Sequence, residues 1–230
     1  PVYTHQLKTI TSSSPKPLID TTQALPPFVE MAADATVKDN GWKRFFFGKN
    51  YRSEWKQPLQ IPVLDLGKDF GGLKPLRQSG GMQSRALYLE DKTGKTWTLQ
   101  SIEAFPQTVI PSSLRPLSGK TSLDAVSGTY PYAALYIAPL ARATGVIDIS
   151  RKLVYVPDDP RLERFRVSFK NTVAVLEQRE PWLLKTTNTT GELVGKMMKS
   201  SADEIDQHRV LKARLLDNFI MDFDRHDIQW

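Results

Sequence analysis

The chain contains no cysteine. Disulfides, thiolate zinc sites and thiol nucleophiles are therefore excluded, but the compartment is not fixed, because periplasmic and cytosolic proteins alike can lack the residue. Histidine is nearly as scarce. His5, His208 and His226 are the whole supply, no two stand at a metal-ligand spacing, and a histidine-rich zinc site is excluded with them. No run approaches the roughly 18 consecutive apolar residues that a membrane-spanning helix needs. No basic-then-apolar leader opens the chain, so Pro1 reads as a processed or cut end and the whole as a soluble piece of a larger protein.

Long runs of one charge are absent too. The 31 Lys and Arg are interleaved with 25 acids, which leaves a formal charge of +6. A solvated mixed-charge surface accounts for that balance, and nucleic acid is not expected as a partner. Two catalytic signatures are missing as well. There is no G-x-S-x-G nucleophile elbow. Gly119-Lys120-Thr121 echoes the end of a phosphate-binding loop, but Leu114 stands where its first glycine is required.

What remains is ordinary globular material: 230 residues, 40% apolar and 24% charged, enough for one domain with a real core or two small ones. Residues 1–41 differ from the rest. Thr9 to Pro17 is rich in Ser, Thr and Pro, and Pro26-Pro27 follows. Proline fixes φ and donates no amide hydrogen, so this reads as an extended linker or an arm draped over a neighbouring surface. The folded body starts near Trp42 with a dense aromatic group, Phe45 to Phe47, Tyr51 and Trp55, which reads as core.

Ile61 to Leu66 alternates around a proline and predicts an edge strand. Arg85–Asp91 and Thr96–Ile102 flank Lys92-Thr93-Gly94-Lys95 and predict a hairpin, with Leu87 and Leu89 sharing one face and Trp97 and Leu99 the other strand's. Between Leu123 and Ala143, Pro131 and Pro139 predict two short helical pieces that stop at Gly145. Strands are expected at 146–149, 153–156 and 171–176, and a loop at 185–195. Asp203 and Asp206 are candidate caps for a helix running to Phe223. Its Leu211, Leu215, Phe219 and Phe223 recur every fourth residue, widened by Leu216 and Ile220, and this stripe is expected against a core, with Lys212 snorkelling from it.

That helix runs into Asp222-Phe223-Asp224-Arg225-His226-Asp227-Ile228-Gln229-Trp230. An apolar helix ending in acids is what phosphoryl transfer uses to aim a carboxylate at a hydroxyl, with a metal ligand about one turn later. The stretch resembles the catalytic loop of atypical kinases, type II phosphatidylinositol kinases and secretory-pathway protein kinases above all. The resemblance implies Asp224 as the catalytic carboxylate and Gln229 at the metal-ligand position, with His226 beside Asp224. It also implies that the hairpin is the glycine-rich unit, with Gly80 and Gly81 near the phosphates; Arg85 is a candidate to reach one, and reads first as an exposed cross-strand partner.

Further motifs are similar to a bacterial family in which a kinase-like region lies in large envelope proteins, between a calcineurin-like metallophosphatase and an outer-membrane β-barrel. They are Phe47 to Trp55, Ala86 to Asp91, Tyr130 to Leu135, Leu153 to Pro160 and Asp224-Arg225-His226. The resemblance implies an α+β kinase-like N-lobe at 42–184, with a small mostly antiparallel sheet and short helices. Residues 185–230 would hold a loop, a long helix and the catalytic-loop-like end, an incomplete C-lobe. It implies a place at the periplasmic face of the outer membrane and protein partners there, including the rest of its own chain with a membrane barrel.

Departures point away from turnover. Thr96 to Phe105 holds no Lys or Arg, where a kinase's third strand carries a lysine toward the phosphates, and Gln229 replaces the usual Asn. The expected function is accordingly a degenerate, pseudokinase-like scaffold without a cofactor. An active phosphotransferase using Mg-ATP and a purely structural spacer are the alternatives.

Overall fold

The computed structural model describes residues 24–34, 41, 45, 48–79, 85–102, 128–178, 190–200 and 205–222. The architecture is α+β, with a two-stranded and a five-stranded antiparallel sheet. Two compact units divide the chain. One holds residues 1–133 and 152–177, and the other holds 134–151 and 178–230. No helix among the described residues is long and apolar enough to cross a membrane.

All the strands fall almost wholly in the first unit. β1 (Phe28–Met31) pairs antiparallel with β2 (Leu59–Pro62), Val29 opposite Ile61. The described part of the proline-rich arm is thus a strand laid on the body, fastened further where Val63 N–H donates to the Pro27 carbonyl and Asp34 N–H to that of Trp55. Between these strands lies α1 (Arg52–Lys56). Trp55 is buried, its indole N–H donating to the Thr129 carbonyl at 2.8 Å. Arg52 is also buried, and its guanidinium closes the preceding turn by donating to the carbonyls of Gly48 and Lys49. Phe45, expected in the core, is 81% exposed.

The larger sheet runs in the order β3-β4-β5-β7-β6, from β3 (Leu73–Ser79), β4 (Ala86–Asp91), β5 (Thr96–Ser101), β6 (Arg151–Val156) and β7 (Thr172–Gln178). The hairpin β4–β5 forms as its alternation predicts. Leu87 faces Leu99 and Leu89 faces Trp97, all four side chains are buried, and Gly94 takes the positive φ of +80° in the turn. β3 has no counterpart in the sequence reading. Pro75 breaks its pattern, and the register slips between Pro75 and Arg77, which an edge strand tolerates because one side of its ladder is unpaired.

The run read as one edge strand at 61–66 divides its work. Beyond β2, Val63 bridges Tyr155 in parallel, Leu64 N–H donates to the Tyr155 carbonyl, and the Leu66 carbonyl accepts from Leu73 N–H. Residues 63–66 therefore tie β6, at one edge of the sheet, to β3 at the other, covering edges that would otherwise offer unpaired amides. Inside lies the main core: Leu64, Leu66, Leu87, Leu89, Leu99 and Phe169 are among its members, each essentially without exposure. Each such side chain contributes roughly 1.5–3 kcal/mol by leaving water. On the other face of the sheet, Val29, Ile61, Tyr155 and Val173 form a smaller core. The Tyr155 hydroxyl donates to Asn171 Oδ1 at 3.1 Å, and burial pushes this phenol well above its ordinary range.

A 3-10 turn, Pro160–Phe165, follows β6, and the short α3 (Arg166–Phe169) follows the turn. Asp159 caps the turn, accepting from Arg161 N–H at 2.8 Å. The Arg161 guanidinium then links Asp159 to Asp65, at 3.1 and 3.2 Å. A Cβ at Gly67 would fall 1.6 Å from Arg161 Nη1. Gly67→Ala is therefore expected to drive the half-exposed Arg161 off Asp65, at a cost of about 0.5–1 kcal/mol. In an Arg161→Ala background the same change should cost less than half as much. A double-mutant cycle by urea unfolding measures this, and strict additivity would refute the clash.

In the second unit, α2 runs unbroken from Ala133 to Thr144, with Pro139 inside it, instead of as two pieces. Pro139 simply leaves one intrahelical bond unmade. Gly145 ends the helix as expected. Its N–H donates to Arg142 and Val146 N–H donates to Ala141, a double closure that needs the positive φ of +70° at Gly145. No strand forms at 146–149, where Asp148 instead takes ion pairs from Arg142 and Arg151. Part of the expected loop at 185–195 is α4 (Thr190–Met197).

The last helix, α5 (Gln207–Ile220), starts under an Asp206 cap whose carboxylate accepts from Arg209 N–H. Its burial corrects the sequence reading. Leu211, Leu215 and Phe219 are exposed, and only Leu216 at the border of the stripe is buried, together with Asp217.

Candidate functional site

Gly80 and Gly81 stand between β3 and β4, whose facing ends Ser79 and Ala86 are paired. The glycines therefore join the first and second strands of the sheet. The hairpin, expected to be the first pair, is the second and third strands instead. Gly80 and Gly81, like Asp224, His226 and Gln229, lie outside the described residues.

Arg85 is the one expected site residue that the structure describes. It opens β4, and its carbonyl accepts from Ser101 N–H of β5 at 2.9 Å. The side chain is not an exposed cross-strand partner: the residue is 8% exposed, and Nη1 donates to the Ser168 carbonyl of α3 at 3.2 Å. A cation is thus held at low exposure at the end of the strand that follows the glycine pair. On the neighbouring strand β5, Thr96–Ser101 carries no cation, and Gln100 faces Ala86. No acid occurs along α2, the next helix among the described residues.

Asp69-Phe70-Gly71 spells the metal-binding triplet of protein kinases. Its place excludes that role. It forms a 3-10 turn ahead of β3, and the Asp69 carboxylate accepts from Asp65 N–H at 2.9 Å. Phe70, with a φ of +54°, stacks on Trp97 at 3.9 Å between ring centroids. The triplet is a surface turn that lays Phe70 over Trp97.

Two carboxylates that sequence reading missed are held firmly in the first unit. Asp91 Oδ1 accepts from Thr93 N–H, the Thr93 hydroxyl and Lys95 N–H, and Oδ2 accepts from the Trp97 indole. Burial pushes its carboxyl up, but the Thr93 hydroxyl, the Trp97 indole and the two amides outweigh that and hold it down at about 2. The signal was available, since an aspartate closing a strand two residues before Thr-Gly is an Asx turn. Asp158 binds Arg166 and Lys170, and the Arg166 guanidinium above all holds its carboxyl below the usual range. Both groups are spent on the fold. Among the described residues no three acids or histidines come together to hold a metal ion.

Compared with protein-family models, with curated proteins and with solved structures, the chain finds no match in any of the three.

Proposed function

We propose that the chain is a kinase-like module, degenerate at its phosphate-binding end, that serves as a scaffold in a bacterial envelope protein. The order of elements supports the kinase-like reading. A segment containing Gly80 and Gly81 separates the first two strands of the sheet in sequence, the third strand precedes the described helix α2, and two more strands follow. Helices α4 and α5 follow, and then Asp224-Arg225-His226.

One observation carries the degenerate reading. Kinases pair a lysine on the third strand with a glutamate on the helix after it, and that pair holds the triphosphate. Among the described residues, β5 has no lysine and the next helix, α2, has no glutamate. The placement in the envelope rests on the resemblance of the motifs alone.

A second reading, an active Mg-ATP phosphotransferase, is favoured by Arg85, a buried cation four residues after the glycine pair in sequence. The two readings separate in one experiment. Thermal unfolding of the full-length protein with millimolar Mg-ATP is expected to show a shift below about 1 °C, because only a ligand bound to the native state raises the midpoint. A shift of several degrees, with ATP turnover that Asp224→Asn abolishes, would establish the phosphotransferase instead.

A further inference from the structure

Phe70 holds a position that its backbone opposes. Its φ of +54° is followed by +79° at Gly71 and +110° at Gly72. Three successive residues thus lie on the left-handed side, which glycine enters freely and a bulky side chain only under strain. Deep burial does not offset the strain, since Phe70 is 36% exposed. Two contacts of the ring do. It lies on the Trp97 indole, 3.9 Å between centroids with 35° between the planes, and the Lys152 ammonium stands 5.4 Å from its centre.

The charges around the ring are unevenly committed. Lys92 borders the same turn, where a Cβ on Gly71 or Gly72 would meet its stem at 3.9 and 3.5 Å. Among the described residues neither Lys92 nor Lys152 is paired with a carboxylate. Lys68, by contrast, faces Asp65 at 3.7 Å, and the Asp69 carboxylate accepts from Asp65 N–H. Two uncommitted cations therefore flank an aromatic ring that rests on an indole. The indole itself is fixed, because its N–H donates to Asp91 Oδ2 at 3.0 Å. All of these residues belong to the first unit.

We infer that Phe70 is the built-in occupant of a ligand site, and that the Asp69–Gly72 turn is its lid. Opening swings the ring away and lets residue 70 leave its positive φ. The face of Trp97 then receives a planar aromatic ring, and Lys92 and Lys152 hold an anionic group that the ring carries. The ligand class is a small aromatic acid. Phe70 competes with it, so the apparent affinity is scaled by the open fraction of the lid. The inference stands on this turn alone and uses neither the Gly80-Gly81 pair nor Asp224 of the kinase-like reading.

Naphthoate, titrated into the whole chain by calorimetry, tests it. Naphthylmethylammonium supplies the ring with the opposite charge, and cyclohexanecarboxylate supplies the anion without a planar ring. Wild type is expected to bind naphthoate weakly and saturably, and Phe70→Ala about tenfold more tightly, because the competing ring is gone. Gly71→Ala keeps that ring but disfavours the closed turn, so it should tighten binding several-fold. It decides the matter if Phe70→Ala does not fold by circular dichroism. Lys92→Gln with Lys152→Gln, in wild type and in either variant, should remove most of the affinity. Both control compounds should bind about tenfold more weakly than naphthoate. In proton–nitrogen spectra the Trp97 indole N–H, assigned by its loss in Trp97→Phe, should shift as naphthoate binds. The inference is overturned if naphthoate does not bind, if neither variant tightens it, if the cationic ring binds equally, or if the Trp97 resonance stays in place.

Discussion

Replacing Phe169 with alanine is expected to destabilise the first unit by about 3–5 kcal/mol, the usual cost of removing a buried aromatic ring. Phe169 has no exposure and belongs to the core shared by β3 to β7 and the 63–66 segment. It also ends α3, the helix whose Ser168 carbonyl receives Arg85 and whose own last carbonyl accepts the Thr172 hydroxyl at 2.6 Å. The ring is thus held by packing on one side and by hydrogen-bonded backbone on the other, which leaves the site little freedom to collapse around a cavity. Urea unfolding should show a lower midpoint at unchanged slope. A loss under about 1 kcal/mol would mean that α3 does not seal the core as described.

The second large effect is expected at Asp91. Its carboxylate is the acceptor for two amides, one hydroxyl and the buried Trp97 indole. Asp91→Ala leaves those donors without the group that organises the turn, and a cost of about 3 kcal/mol follows from losing charge-assisted bonds in a buried site. The pH dependence has a definite sign. The folded carboxyl sits at about 2, below its ordinary 3.8. The group therefore binds protons more readily in the unfolded chain. Its contribution is fully present above the ordinary value and is lost as pH falls through about 2. Thermal melts of wild type and Asp91→Ala from pH 6 downward should differ by a constant amount until about pH 4, then converge toward pH 2. Parallel curves over the whole range would show that the carboxylate does not carry the turn.

Legibility in the sequence followed how many physical signals agreed at each place. The β4–β5 hairpin had alternation, β-branched and aromatic residues and a glycine at the turn, and each signal gave the same answer. β3 had none of that agreement. Pro75 removes a donor, the slip after it breaks the two-residue period, and edge position alone makes both tolerable. The helix ending at Ile220 was legible, as was its Asp206 cap, because four-residue spacing and a capping acid coincide. Which side of it is covered was not, since spacing reports an apolar face and cannot report what lies against it. The polar stretch 185–195 reads as a loop, and Gly191 and Gly195 lower helix propensity there, yet Thr190–Met197 is helical. Of the expected site, Arg85 alone is described, and sequence could not give its burial, because the Ser168 carbonyl that draws it inward lies 83 residues away in the chain.

The tie between residue 64 and residue 155 has a consequence for how the protein is made. The strand-bearing unit is assembled from two stretches of chain separated by residues 134–151. While the chain leaves the ribosome, everything up to Ser101 emerges with β6 and β7 still unsynthesised. The Leu64 amide and the open side of β5 must wait for them, exposed to whatever else pairs with strands. A fragment cut anywhere before Gln178 therefore lacks part of its own sheet, and truncation cannot isolate this unit. Removing residues 134–151, rejoining the flanks and also omitting residues 178–230 is the way to obtain it alone.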